Sequence, residues 1–212
     1  GDRVAVMMHN RAEFPLTWLA LARLGAAMVP LNPQYRAEDA GHILEHSRAA
    51  AVVVTGDLAD RAFDVPVLLA EQLTSADQPP AHRVAPEDTV NIQYTSGTTG
   101  RPKGVVYSHR STVLHSLVGC LGDVWDLKGT DCLMPVTPMF HANCWGMPYG
   151  AVMMGAKMVF PGPHLHADDL LDLMQLEPPT LSLGVPTIWM SLIQTFEAAQ
   201  TGQPGRWKMP AG

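Results

Sequence analysis

The sequence predicts an α/β layer fold of parallel sheets with helical crossovers. Three observations carry that prediction. Short β-branched runs alternate with stretches whose apolar residues recur at helical spacing. Alternation of that kind builds parallel strands joined by helices. The composition, 47% hydrophobic against 16% charged over 212 residues, belongs to a chain with a real core to bury.

Taken in order, residues 4–8 read as a strand, 13–24 as a helix, 27–31 as a strand, 37–47 as a helix and 51–55 as a third strand. Asn10 and Thr55 stand at changes of period and read as turn or cap residues. From 72 to 88 the composition shifts to Pro, Ala, Asp, Gln and His without periodicity, which marks a surface linker. The expected organisation is therefore a first block over 1–71, a linker over 72–88 and a second block over 89–212. In the second block strands are expected near 90–94, 105–107, 131–136, 157–160 and 181–184. Helices are expected over 111–121, 144–154, 167–176 and 186–199, the last with Pro186 at its first turn, where a missing N–H is harmless. No internal repeat is visible.

Charge and cysteine usage exclude several classes. A net charge of −6 argues against broad binding to nucleic acid or anionic membrane, both of which need basic patches. Cys120, Cys132 and Cys144 form no CxxC pair and leave an odd thiol, which favours a reducing, cytoplasmic setting. No apolar run is long enough to span a bilayer as a helix. The chain opens on Gly1-Asp2-Arg3 and closes on Met209-Pro210-Ala211-Gly212, and both ends read as cut.

The chemistry concentrates in Tyr94-Thr95-Ser96-Gly97-Thr98-Thr99-Gly100-Arg101-Pro102-Lys103-Gly104-Val105. Backbone N–H and hydroxyl donors on such a ribbon can wrap an anion, because glycine allows the positive φ and the close backbone approach this requires. Lys103 adds a compact positive charge suited to phosphate. The segment is not a Walker loop: Pro102 takes the place of the second glycine, and Gly104 that of the Ser/Thr. Read without further context, it is equally a polar turn between strands.

The string resembles the phosphate loop of the adenylate-forming superfamily, close to [YF]-T-S-G-[ST]-T-G-x-P-K-G-V. That superfamily includes acyl-CoA synthetases, luciferases and peptide-synthetase adenylation domains. The resemblance extends upstream through Gly1-Asp2-Arg3-Val4-Ala5, Arg23-Leu24-Gly25-Ala26 and Val29-Pro30-Leu31-Asn32-Pro33, and downstream across most of the chain. It implies part of the large N-terminal domain of an acyl-CoA synthetase-like fold, with ATP, Mg²⁺ and coenzyme A as partners of the reaction. On it, Thr95, Ser96, Gly97, Thr98, Thr99, Gly100 and Lys103 hold the β- and γ-phosphates, and Thr95 also contacts Mg²⁺.

A second segment, Thr137-Pro138-Met139-Phe140-His141-Ala142-Asn143-Cys144-Trp145-Gly146, is similar to the P-x-x-H region of fatty-acyl-CoA synthetases. On that resemblance His141 lies beside the acyl carboxylate and the α-phosphate, as a catalytic group with Lys103. Ala142 lines the acyl-adenylate site and Trp145 gates the acyl tunnel, with Gly184 and Val185 at the acyl pocket. Each of these residues also has an ordinary reading as packing. The resemblance leaves room for a homodimer.

Family parts expected elsewhere are absent from these residues: the Y-G-x-T-E segment, the adenine-binding stretch, the ribose-binding aspartate and the late catalytic lysine. The expectation is a fragment of an ATP-dependent fatty-acyl-CoA synthetase, an acid–thiol ligase, with little or no catalysis of its own. The alternatives are an enzyme activating an aryl or amino acid, and a non-catalytic nucleotide-binding module. His42-Ile43-Leu44-Glu45-His46 matches the inverted zinc-protease pattern H-x-x-E-H, with both histidines on one helical face. It lacks a third ligand and is set aside.

Overall fold

The computed structural model describes residues 1–61, 63–74, 83–95, 101–202 and 205–208. The first strands are β1 (Arg3–Met7), β2 (Ala27–Leu31), β3 (Ala49–Val54) and β4 (Val67–Leu69), with helices α1 (Glu13–Arg23) and α2 (Ala37–Ser47) between them. A hairpin of β5 (Thr89–Thr95) and β6 (Lys103–Ser108) follows, then α3 (His109–Gly119) and β7 (Cys132–Pro135). Last come α4 (Met147–Met154), β8 (Lys157–Met158), α5 (Ala167–Leu176), β9 (Leu181–Leu183) and α6 (Pro186–Gly202).

Two sheets form. The larger runs β4-β3-β1-β2-β5-β6 and the smaller β8-β7-β9. Pairing is parallel except at β5–β6, which is antiparallel, as a direct hairpin must be. Strands β5 and β6, which follow the 72–88 segment, add to the edge of the first sheet beside β2. The change of sheet therefore falls after β6, not at the linker.

In the larger sheet β1 is central, and successive side chains on it serve opposite faces. Val6 and Met8 pack with Phe14, Trp18 and Leu21 of α1, whereas Ala5 and Met7 pack with Ala40, Ile43 and Leu44 of α2. The crossovers run β1–α1–β2 to one side and β2–α2–β3 back across β1. Right-handed crossovers in opposite directions put their helices on opposite faces. The smaller sheet repeats this winding around β7 without repeating the sequence. Leu133 faces α4 in one cluster, while Cys132 and Met134 pack with Leu170 and Leu192 in the other.

The sheets meet at Asn10. It is buried rather than exposed in a turn: Nδ2 donates to the carbonyls of Pro135 (2.8 Å) and Thr137 (2.9 Å), and Oδ1 accepts from the Met139 amide at 2.8 Å. Its backbone also bridges to Gly162. The indole of Trp18 on α1 stacks on the Tyr149 ring of α4 with centroids 3.9 Å apart. Thr55 precedes a short 3-10 turn, but its side chain makes no capping bond and its buried hydroxyl has no partner among the described residues. Among the described residues no helix is long and apolar enough to cross a membrane.

Candidate functional site

Strand β5 runs out to Thr95 and β6 returns from Lys103, and these two residues are cross-strand partners. Ser96, Gly97, Thr98, Thr99 and Gly100 lie outside the described residues. The stem that presents them is nonetheless fixed. The ring of Tyr94 lies against Gly104, where a Cβ would come within 3.3 Å of it. The Tyr94 hydroxyl is 2.7 Å from Nδ1 of His46 on α2. Thr95 and Lys103 are both exposed, so a hydroxyl and an ammonium stand side by side at the sheet's end, open to an anionic ligand. His46 is thereby engaged by a phenol. Among the described residues no group of three or more His, Cys, Asp or Glu is placed to hold a metal ion.

The second constellation sits in the connection from β7 to α4, where the strand order of the smaller sheet reverses. Open α/β sheets bind ligands at such points. Right-handed helix was expected from residue 144. Instead, a single turn over Ala142–Gly146 is wound left-handed, and α4 begins at Met147. Ala142 (φ 46°), Asn143 (φ 49°), Cys144 (φ 50°) and Trp145 (φ 54°) all occupy the left-handed basin. For L-residues each such conformation costs roughly 1–2 kcal/mol, and a run of them is unusual. Their apolar spacing imitates a helix; tertiary contacts set the hand.

Those contacts are specific. Nδ2 of Asn143 donates to the Tyr149 hydroxyl, and Oδ1 accepts from Nδ2 of Asn91 on β5 at 3.1 Å. On the outer side, Nε2 of His115 on α3 donates to the Trp145 carbonyl at 2.8 Å. Gly146 closes the turn at φ 75°, and a Cβ there would meet the His115 ring at 2.7 Å. The Cys144 thiol is buried inside the turn, and desolvation pushes its pKa up to about 12. It is an inert packing group at neutral pH.

The turn projects His141 and Trp145 outward. His141 is exposed, Trp145 is 46% exposed, and Ala142 is partly buried between them. Gly184 follows β9, whose last carbonyl, on Leu183, accepts from the amides of Val136 (3.1 Å) and Thr137 (2.8 Å), so 184 runs beside the root of this connection. Its missing side chain has a local cause: a Cβ would lie 3.0 Å from the ring of Trp189, whose Nε1 donates to the Gly184 carbonyl. Val185 is exposed. The structure thus pairs Thr95 with Lys103, and gathers His141, Ala142 and Trp145 on one turn. An open cleft of about 640 Å³ at the sheet seam, lined by His9, Arg11, Phe160 and His164 among others, contains none of them. Asn91 and His115 were missed from the sequence. Neither belongs to a motif, and only the glycine at 146 hinted at a constrained backbone.

The scaffold is of the open α/β class, with a Gly/Ser/Thr hairpin at one sheet's end and a histidine-bearing turn at a strand-order reversal, where such folds hold ligands. The chain belongs to the AMP-binding enzyme family, whose sequence model matches residues 1–209. It is 35% identical to the long-chain-fatty-acid–CoA ligase of Thermus thermophilus, over 93% of this chain and 40% of that protein. Over 51% of this chain and 20% of the relative it is 54% identical to the 3-methylmercaptopropionyl-CoA ligase of Ruegeria pomeroyi. The fold superposes on a Mycobacterium tuberculosis fatty acyl CoA synthetase with TM-score 0.80 at 28% identity, covering 94% of this chain and 42% of that one. The chain spans about two fifths of the length of the first of these relatives.

Proposed function

We propose that these residues form the first part of the large N-terminal domain of an ATP-dependent fatty-acyl-CoA synthetase. The observation that carries the reading is the β5–β6 hairpin, which sets Thr95 across from Lys103 at the two ends of the family's phosphate loop. A carboxylate is a poor electrophile, because its departing group would be oxide. Attack of the acyl carboxylate on the α-phosphate of ATP forms an acyl-adenylate and releases pyrophosphate. The coenzyme A thiol then attacks the acyl carbon, and AMP departs with the electrons of the broken C–O bond.

In this reading Lys103 neutralises the departing pyrophosphate together with the Ser96–Gly100 donors. His141 donates a hydrogen bond toward the oxygens that gain charge as the carboxylate attacks. Trp145, with Ala142 beside it, borders the path of the acyl chain. Mg²⁺ fits the donor set only as an ion carried largely by ATP's own phosphates. The Thr95 hydroxyl offers it one hard oxygen, and among the described residues no group of three or more His, Cys, Asp or Glu is placed to hold it. Three free thiols suit a cytoplasmic setting.

The test is carboxylate-dependent pyrophosphate release from Mg·ATP, measured across an acid panel on this chain and on the full-length enzyme that contains it. The panel runs from 3-methylmercaptopropionate to medium- and long-chain fatty acids, since relatives of both kinds match. Release by the longer protein with fatty acids, and not by the 212-residue chain, is the expected result. Release confined to aryl or amino acids would move the substrate class. A folded, ATP-binding protein that releases none with any acid would leave a binding module.

A further inference from the structure

We infer that Asn91 and Asn143 are a positioning pair, tying the strand that enters the phosphate loop to the left-handed turn that carries His141 and Trp145. The inference rests on the acid-activating reading above. Both side chains are buried, Asn91 to 2% exposure and Asn143 to 1%. They come from opposite sides of the seam, one on β5 and the other in the β7–α4 connection, and meet at 3.1 Å. Asn91 lies on the same strand as Thr95, four positions earlier. One rigid element therefore presents the phosphate end and grips the acyl turn.

Two features separate positioning from ordinary packing. First, Asn143 stands at φ 49°, ψ 42°, amid three residues that have no intrinsic reason to be left-handed. Its amide is the buried handle on that turn, through Asn91 on one side and the Tyr149 hydroxyl on the other. Second, Oδ1 of Asn91 is buried with no partner among the described residues. An apolar side chain would exchange that unpaired acceptor for another, on Asn143, so stability alone does not single out an amide at 91. An amide kept there for one directed bond fits a role in geometry.

The consequence is a split between stability and function. Asn91→Ala exchanges one unpaired buried acceptor for another, Oδ1 of Asn143, so the melting temperature should fall by no more than a few degrees. Displacing a reacting group by about 1 Å costs on the order of 100-fold in rate. In the full-length enzyme we expect kcat/KM for the acid to fall by about 10–100-fold in Asn91→Ala, with KM for ATP within about threefold of wild type. Asn143→Gly keeps a backbone at ease with positive φ and deletes only the amide. It should show the same loss, and the double variant should be no worse than either single one, as for two members of one interaction.

A structural readout keeps the test independent of turnover. In protein labelled with 5-fluorotryptophan, with the Trp145 resonance assigned by Trp145→Phe, both single variants should shift or broaden that signal. Unchanged acid kinetics with an unmoved Trp145 resonance would overturn the inference. So would parallel losses for acid and ATP accompanied by a melting temperature lowered by much more than a few degrees, which mark a general structural role. A wild type that releases no pyrophosphate with any acid would sink the functional reading instead, and the fluorine signal would still decide the geometry.

Discussion

The two sheets share one winding and differ in nearly everything else. In each, the first strand is central, the second and third flank it, and one crossover helix covers each face. Around β1 the strands are five, five and six residues long, and β2 is buried throughout. Around β7 they are four, two and three residues, and β9 is only half-buried. The connection after β1 reaches α1 within a few residues, whereas the one after β7 is long enough to hold a left-handed turn and the outward-facing His141 and Trp145. The same topology thus makes a packed platform in one place and carries the candidate site in the other. What differs is how much backbone is released at the strand-order reversal.

The largest break in this comparison should come from the platform. Phe14→Ala removes a ring that is 2% exposed between α1 and the large sheet, and should cost about 3–5 kcal/mol in urea denaturation. The corresponding truncation in the smaller unit, Leu192→Ala, removes the one buried side chain of α6 among the described residues. It should fall at the low end of the leucine range, about 2 kcal/mol. Equal losses would mean that the smaller sheet is packed as firmly as the larger.

Asn10→Ala should come next. It deprives two carbonyls and one amide at the seam of their partner, with an expected loss of about 2–3 kcal/mol. The more telling readout is cooperativity. If the seam holds the units together, circular dichroism and tryptophan fluorescence should report separate transitions in the variant but coincident ones in the parent. Coincidence in both would show that the Trp18–Tyr149 stack suffices.

The smallest effect concerns acid. Asp131, at the entry to β7, has its carboxylate pKa held below the ordinary value, first by the Lys128 amide (2.6 Å) and then by the Thr180 hydroxyl (2.8 Å). A depressed carboxylate contributes stability that is present above its unfolded pKa, near 4, and is lost as pH falls through the folded value. Thr180→Val should shrink that loss by a few tenths of a kcal/mol, because Asp131 is only partly buried and solvent screens its carboxylate. The measurement is the slope of stability against pH below about 4.5. An unchanged slope would remove Asp131 from the account of the smaller sheet.

Where periodicity alone decides an element, the sequence was legible. The strand over 27–31 and the helices over 37–47 and 167–176 occur with the expected bounds. Strand β4 was missed because three half-exposed residues after a proline carry no alternation to read. Helix α3 starts two residues earlier than expected, since Ser108 and Ser111 cap it reciprocally and a serine cap was available on either side. The candidate site residues were legible as composition, through the glycines, hydroxyls and Lys103, and through His141 in its motif, and their roles remain a proposal. Their local geometry was not legible. The left-handed 142–146 turn bonds to Asn91 and His115, 52 and 30 residues away from their partners in sequence, and no local pattern encodes such a contact. Asn10 looked like a turn residue because it stands at a change of period, yet its side chain spans more than 120 positions of chain.

Strand β6 has a further practical meaning. It closes the sheet order with Val105 and Val106 exposed at 41% and 61%, and its outer backbone is unpaired by the described strands. Helix α3 continues the apolar surface through Val113, Leu114, Leu117 and Val118. An uncovered, β-branched strand margin is a template on which foreign or identical chains can add. Anyone producing these residues on their own should meet that margin first as a problem of solubility, and should guard it with a lysine at 106 before asking the protein to do any chemistry.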